Sequence, residues 1–128
     1  MVVDTSVLVA ILLREPEANQ FLERFAGGWE AVMSAASYVE LAIVARSRGA
    51  AGRAVVDELI EQLAITILPV TVGQARLAAD AYGRYGRGRH PARLNYGDCF
   101  AYALAQERGE PLLFKGGDFA RTDVVPAL

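Results

Sequence analysis

The sequence predicts an α/β fold: a three-layer α/β/α sandwich on a mainly parallel sheet of four to five strands. Three observations predict it. Short apolar, β-like runs alternate with longer runs of helical period along the whole chain. The stretches between successive β-like runs are too long for hairpins, so the strands pair in parallel through right-handed crossovers. With 128 residues, 53% of them apolar, the chain can bury one sizeable core, and residues 1–128 read as one domain.

Met1–Val3 reads as a buried strand and Thr5–Leu13 as the helix after it. Pro16 opens a second helix, which carries Phe21, Leu22 and Phe25 and leaves at Gly27–Gly28; proline suits a first turn and glycine an exit. Glu30–Met33 is the second strand, and a helix starting at Ser34 or Ala35 runs to about Arg48 and stops at Gly49. Another helix spans about Gly52 to Ala64. Thr66–Val70 is the third strand, and Thr71 caps a helix to Tyr85. Arg84–Leu94, with Gly86, Gly88 and Pro91, reads as a loop. Asn95 caps a last helix to about Arg108, stopped by Gly109; Pro111–Phe114 is the fourth strand and Asp123–Val125 a candidate fifth.

Composition removes several classes of function. One cysteine, Cys99, excludes an internal disulfide, and with the single histidine, His90, it leaves too few ligands for a Cys/His zinc cluster. Cys99 itself reads as a small core residue, and Trp29 as packing or a dimer contact. Val7–Leu13 is far shorter than the ~20 apolar residues of a spanning helix, and the amino-terminal end lacks the basic flank of a signal peptide. No membrane association and a cytoplasmic location are therefore expected.

Net charge is −2, but its distribution is uneven. No acidic residue lies between Asp80 and Asp98, whereas Arg84, Arg87, Arg89, Arg93 and His90 all do. Phosphate contacts are local, so such a patch outweighs the overall sum.

Four carboxylates stand in costly or strategic places. Asp4 directly follows the first strand; it reads either as a helix N-cap or as a ligand at the sheet edge. Glu40 has Ala36, Val39, Ile43 and Val44 at helical offsets, which places it in an apolar stripe. A carboxylate there needs a partner: an arginine such as Arg46 or Arg76, or a metal. Asp98, three residues after Asn95, closes a capping box or points to the same sheet edge. Asp118 follows the fourth strand across Gly116 and Gly117, as a solvated loop acid or a fourth member of the group. Taken together, converging acids repel unless a cation lies among them, and an all-oxygen set suits Mg²⁺ or Mn²⁺. Such a centre activates water and neutralises a phosphate.

Rival chemistries lack their residues. Metal-free cleavage through the ribose 2′-OH needs two acid–base groups, usually histidines, and only one is present. An aspartyl phosphatase would prefer a second acid two residues after Asp4, where Ser6 stands. Neither a dinucleotide-binding glycine fingerprint nor a P-loop occurs.

Four ordered segments carry a family resemblance: Val2-Val3-Asp4-Thr5-Ser6-Val7-Leu8, Ser37-Tyr38-Val39-Glu40-Leu41-Ala42, Leu94-Asn95-Tyr96-Gly97-Asp98-Cys99, and Leu112-Leu113-Phe114-Lys115-Gly116-Gly117-Asp118-Phe119. They resemble the acidic motifs of PIN domains in order and spacing, over nearly the whole chain, and in particular those of VapC-type toxins of bacterial toxin–antitoxin pairs. The resemblance implies a type II toxin that hydrolyses RNA phosphodiesters with metal-activated water. Its catalytic and metal-binding residues would be Asp4, Glu40 and Asp98, with Asp118 in a weaker, outer role. Mg²⁺ or Mn²⁺ would be the cofactor, and a homodimer and a cognate VapB-type antitoxin are implied. Many members carry an acid or Asn two residues before Asp118, where this chain has Gly116. The alternative is a non-catalytic PIN-like module that binds RNA or a partner; a DNA nuclease is a further one.

The basic loop fits an RNA substrate. Arg84, Arg87, Arg89 and Arg93 could follow a phosphate backbone while Tyr82, Tyr85 or Tyr96 stacks on bases. Its plain alternatives are a solvated loop or a dock for an acidic antitoxin tail. Lys115 could also face phosphate.

Overall fold

The computed structural model describes residues 1–47, 49 and 52–128. In chain order the elements are β1 (Val2–Val3), α1 (Thr5–Leu12), α2 (Ala18–Ala26), β2 (Ala31–Ser34), α3 (Ala35–Ser47), α4 (Gly52–Gln62), β3 (Ile65–Leu68), α5 (Val72–Tyr85), α6 (Tyr96–Arg108) and β4 (Leu112–Leu113). A 3-10 turn follows at Phe119–Arg121. The strands form one sheet in the order β3-β2-β1-β4, and every pair is parallel. The predicted end of the third helix, at Arg48, lies outside the described residues.

Successive strand residues point to opposite faces, and this builds the three layers. Val2, Val32 and Leu112 enter one core with Ala78 and Ala81 of α5 and Leu104 of α6. Their chain neighbours Val3, Met33 and Leu113 enter the other, with Leu8 of α1, Leu41 of α3 and Val56 of α4. Burying each such Val or Leu side chain contributes roughly 1.5–3 kcal/mol. Strands buried on both faces must be apolar throughout, which is why these short runs lack polar alternation.

Helix ends follow local chemistry. Thr71 Oγ1 accepts the Gln74 amide at 3.1 Å and starts α5. Gly109 ends α6 at φ 61°, a left-handed conformation that glycine adopts without steric cost. The second helix begins at Ala18, because Pro16 and Glu17 form a turn ahead of it. The Gly86–Leu94 excursion is pinned at both ends: the Arg87 amide donates to the Leu94 carbonyl, and the Leu94 amide to Tyr85, each at 3.0 Å.

The expected fifth strand at Asp123–Val125 does not form as a strand among the described residues. The segment makes one parallel bridge, Leu112 to Pro126, with Leu112 donating to Val125 and Ala127 donating to Leu112. Both bonds flank Pro126, whose nitrogen faces away from β4 and has no hydrogen to offer a further strand, so the segment closes this edge as a single bridge. Among the described residues no helix is long and apolar enough to cross a membrane.

Because the sheet order runs outward from β1 to β3 and then returns to β4 on the other side, the direction reverses between β1 and β4. Ligands of open parallel sheets bind beyond the carboxyl ends at that reversal. Asp4 lies at the end of β1, and Lys115–Gly116 just past the end of β4.

Candidate metal centre

At that edge lies an open cavity of about 480 Å³ whose walls include Asp4, Ser6, Glu40, Asn95, Asp98 and Gly116. Three of the four predicted acids are therefore brought together, from β1–α1, α3 and α6. Each arrives for a local reason.

Asp4 is the N-cap of α1 and a wall of the cavity at once. Its amide bonds to the Leu113 carbonyl of β4 at 2.9 Å, which sets the residue at the strand reversal. Its Oδ2 accepts the Ser6 amide at 3.0 Å and the Ser6 hydroxyl at 2.6 Å. The Ser6 oxygen in turn accepts the Lys115 amide at 3.0 Å, joining β1 and β4 loops through one side chain. Asp4 is 4% exposed. Burial raises its carboxyl pKa, the two Ser6 bonds oppose that, and the charge of Glu40 adds to the rise.

Asp98 sits in the first turn of α6 in a complete capping box. The Asp98 amide donates to Asn95 Oδ1 and the Asn95 amide to Asp98 Oδ2, both at 2.9 Å. Its carboxyl is raised to about 7, by burial first and then by the charges of Asp4, Glu40 and Asp118, against the lowering effect of the Asn95 amide. Capping and site formation are thus compatible here. Helices α1 and α6 both begin at the same edge, so caps on the two helices face one space.

Glu40 reaches the cavity by a different route from the one its sequence suggests. The buried stripe of α3 is Ser37, Leu41 and Ala45, whereas Val39 is 55% and Ile43 62% exposed. Glu40 is therefore beside the buried stripe, not inside it, and is half-buried. Thr5 Oγ1 donates to the Ser37 carbonyl at 3.1 Å, fastening the first turn of α3 to the start of α1 and bringing Glu40 to Asp4. Neither Arg46 nor Arg76 forms a salt bridge with Glu40 among the described residues.

Asp118 is exposed and outside the cavity wall. It acts on the site through space, as one of the charges that raise Asp98. Gly116 lines the cavity at φ 95°, a conformation that a side chain would strain.

The donor set suits a hard cation. Four carboxylates line the cavity: Glu15, which Lys115 engages, and Asp4, Glu40 and Asp98. Asp4 is burdened by the charge of Glu40 and Asp98 by the charges of Asp4 and Glu40, and no cysteine or histidine lies among them. Among the described residues, no three acids already stand close enough to form a ready-made ligand shell. Each of Asp4 and Asp98 commits one oxygen, Oδ2, to the backbone and Ser6, and ion binding would require the side chains to draw together.

Sequence reasoning overlooked several members. Ser6 enters the sequence reading only as a missing second acid, yet it holds Asp4. Lys115, expected to face phosphate, instead bridges Glu15 and Glu17, the latter at 3.1 Å. The hundred-residue separation of Lys115 and Glu15 left no local signal for this.

The basic loop forms a second basin of about 500 Å³, walled by Arg87, Gly88, Arg89, His90, Pro91 and Arg93. Arg84 stands apart: its guanidinium lies 4.7 Å over the Tyr85 ring and 3.6 Å from Asp123. His90 Nδ1 accepts the Ala92 amide at 3.0 Å, which holds the loop in shape. Of the tyrosines, Tyr85 is 5% exposed and unavailable for stacking on a base, because it closes the core under the loop. Tyr96 is 78% exposed. Cys99 is buried, donates to the Asn95 carbonyl at 3.2 Å, and has its thiol pushed up to about 11 by burial, so it is a core residue. Trp29 packs under Arg24, 4.3 Å from its guanidinium.

Comparison with known proteins gives a consistent result. The PIN-domain family model matches residues 1–125. A Ribonuclease VapC from Mycolicibacterium smegmatis is 50% identical over 125 residues, 97% of each chain. Ribonuclease VapC28 from Mycobacterium tuberculosis is 49% identical over 130 residues, covering 100% of this chain and 98% of that relative. Among solved structures, the Mycobacterium tuberculosis sarcin-ricin loop cleaving toxin VapC20 aligns with a TM-score of 0.76 at 17% identity, over 97% of this chain and 95% of that one. A toxin–antitoxin complex from Klebsiella pneumoniae aligns with a TM-score of 0.70 at 20% identity, over 99% and 97%.

Proposed function

Since the chain belongs to the PIN-domain family, with VapC ribonucleases as near-full-length relatives, we propose that it is a Mg²⁺- or Mn²⁺-dependent endoribonuclease acting as the toxin of a type II toxin–antitoxin module. The observation that carries this reading is the meeting of Asp4, Glu40 and Asp98, from three separate elements, in one cavity at the strand reversal. Asp4, Glu40 and Asp98 would hold the ion, and Asp118 would support them through its charge. When bound, the cation supplies Lewis acidity for hydrolysis of a phosphodiester.

The chain's own groups prepare that chemistry. Ser6 fixes the rotation of Asp4, and the Asn95 amide fixes that of Asp98. Asp98, titrating near 7, yields its proton as a cation binds, so the site loads better as pH rises.

RNA would enter across the basic basin. Arg93 lines the basin and Asn95 lines the acidic cavity, so about 7 Å of chain at most separates the two walls. Arg87, Arg89 and Arg93 would track phosphates, Arg84 less so because Asp123 neutralises it, and Tyr96 offers a face for a base. A VapB-type antitoxin as partner completes the reading, supported by the Klebsiella pneumoniae toxin–antitoxin complex and the VapC relatives, and a homodimer follows from the motif resemblance alone.

The test is cleavage of a labelled total-RNA pool by antitoxin-free protein with Mg²⁺, Mn²⁺ or EDTA, with Asp98→Asn alongside. Metal-dependent cuts lost in the variant are the expected outcome. A folded, metal-loaded protein that leaves every RNA intact would favour a non-catalytic binding module.

A further inference from the structure

Gly97 is the second residue of α6, immediately before Asp98. It occupies a helix, where glycine is a poor choice for the backbone. The reason for it lies across the site. A methyl group built on Gly97 would stand 1.9 Å from Glu40 Oε2, 2.6 Å from its Cδ and 3.1 Å from its Oε1. All three of the nearest atoms belong to one carboxylate. No backbone atom and no core side chain is among them.

We infer that Gly97 is a positioning residue: the missing side chain forms the seat in which α6 receives the Glu40 carboxylate, and so sets Glu40 beside Asp98. This rests on the metal-centre reading above but adds a residue that makes no bond to an ion or a substrate. Glu40 needs such a device. It lies beside the buried stripe of α3 and forms no salt bridge among the described residues, so nothing on its own helix holds its carboxylate. Asp4 and Asp98 are held by hydrogen bonds; Glu40 is held by shape. In Gly97→Ala the only group asked to move is the end of a flexible side chain, so the fold survives while the seat is filled.

Two measurements on the full chain decide it. In a metal-free crystal structure of Gly97→Ala, the Glu40 carboxylate should leave the seat with α6 in place. An unmoved Glu40, or a displaced helix, overturns the inference whether or not the protein binds metal. In Mn²⁺ titrations, Gly97→Ala should bind about tenfold more weakly than the parent, the usual effect of losing a ligand's support. Its melting temperature should be equal or higher, since alanine favours the helix. Adding Gly97→Ala to Glu40→Ala should weaken binding no further, because both changes remove the same carboxylate. Full additivity of the two losses overturns the inference. A parent protein that binds no Mn²⁺ counts against the nuclease reading, and the crystal structure then decides the seat alone.

Discussion

Ser6 grips Asp4 twice, through its amide at 3.0 Å and its hydroxyl at 2.6 Å, both on the same oxygen, Oδ2. The serine oxygen also receives the Lys115 amide, so it spans the two strands at whose reversal the cavity opens.

Replacing Ser6 by Ala should therefore do two separate things. It strips one hydrogen bond from Asp4 and leaves the Lys115 amide without its acceptor, costing about 1–3 kcal/mol of stability in urea denaturation. It also leaves Asp4 held by the amide alone, and Mn²⁺ affinity should fall about tenfold. Threonine, which keeps the hydroxyl, should restore most of both. A Ser6→Ala protein with parental affinity would show that Asp4 needs no such support.

Asp98 should make the metal-free protein less stable as pH rises. Its carboxyl titrates near 3.8 when unfolded and at about 7 when folded, because of burial first and neighbouring acids second. Between those values the folded form holds the extra proton, so the penalty is absent below about pH 4 and complete above about pH 7. Asp4, also raised by burial, acts with the same sign. Melting temperature should fall across this window in EDTA, and less steeply in Asp98→Asn. Saturating Mn²⁺ should reverse the loss at the upper end, by about 2.7 kcal/mol when the ion is at a hundred times its Kd. Melting curves that do not change from pH 4 to 7 would contradict the shared burden of these acids.

The arginines of the basin should differ among themselves. In an Asp98→Asn background, Arg87→Ala with Arg89→Ala should lower the salt slope of RNA binding by about 1.4, near 0.7 per lost single-strand phosphate contact. Arg84→Ala should change it less, because Asp123 and the Tyr85 ring already occupy that side chain. An equal effect of Arg84 would mean that RNA displaces it from Asp123.

Much of this architecture was legible along the chain. The alternation of apolar and helical runs, the caps Thr71 and Asn95, and the stop at Gly109 depend on residues within a few positions of one another. Such local chemistry survives in any context, so the elements and their order could be read directly. Asp4 and Asp98 could be read too, since a cap marks a helix start and the parallel topology puts those starts at one edge.

What failed depended on neighbours far apart in the chain. The run Ala35–Ser47 is apolar nearly all round, so its periodicity did not reveal that Ser37, Leu41 and Ala45 face the core while Val39 and Ile43 face outward. Lys115 looked free until the fold brought Glu15 and Glu17 to it, and Tyr85 looked available until the loop closed over it. The sequence by itself determined the layers, the strand edge and the placement of Asp4 and Asp98 at that edge, because periodicity and capping are local. Only tertiary structure decided how those acids are held: Asp4 by Ser6, and Glu40 against the bare backbone of Gly97. Those distances are set by the packing of α1, α3 and α6, which no local run of residues encodes.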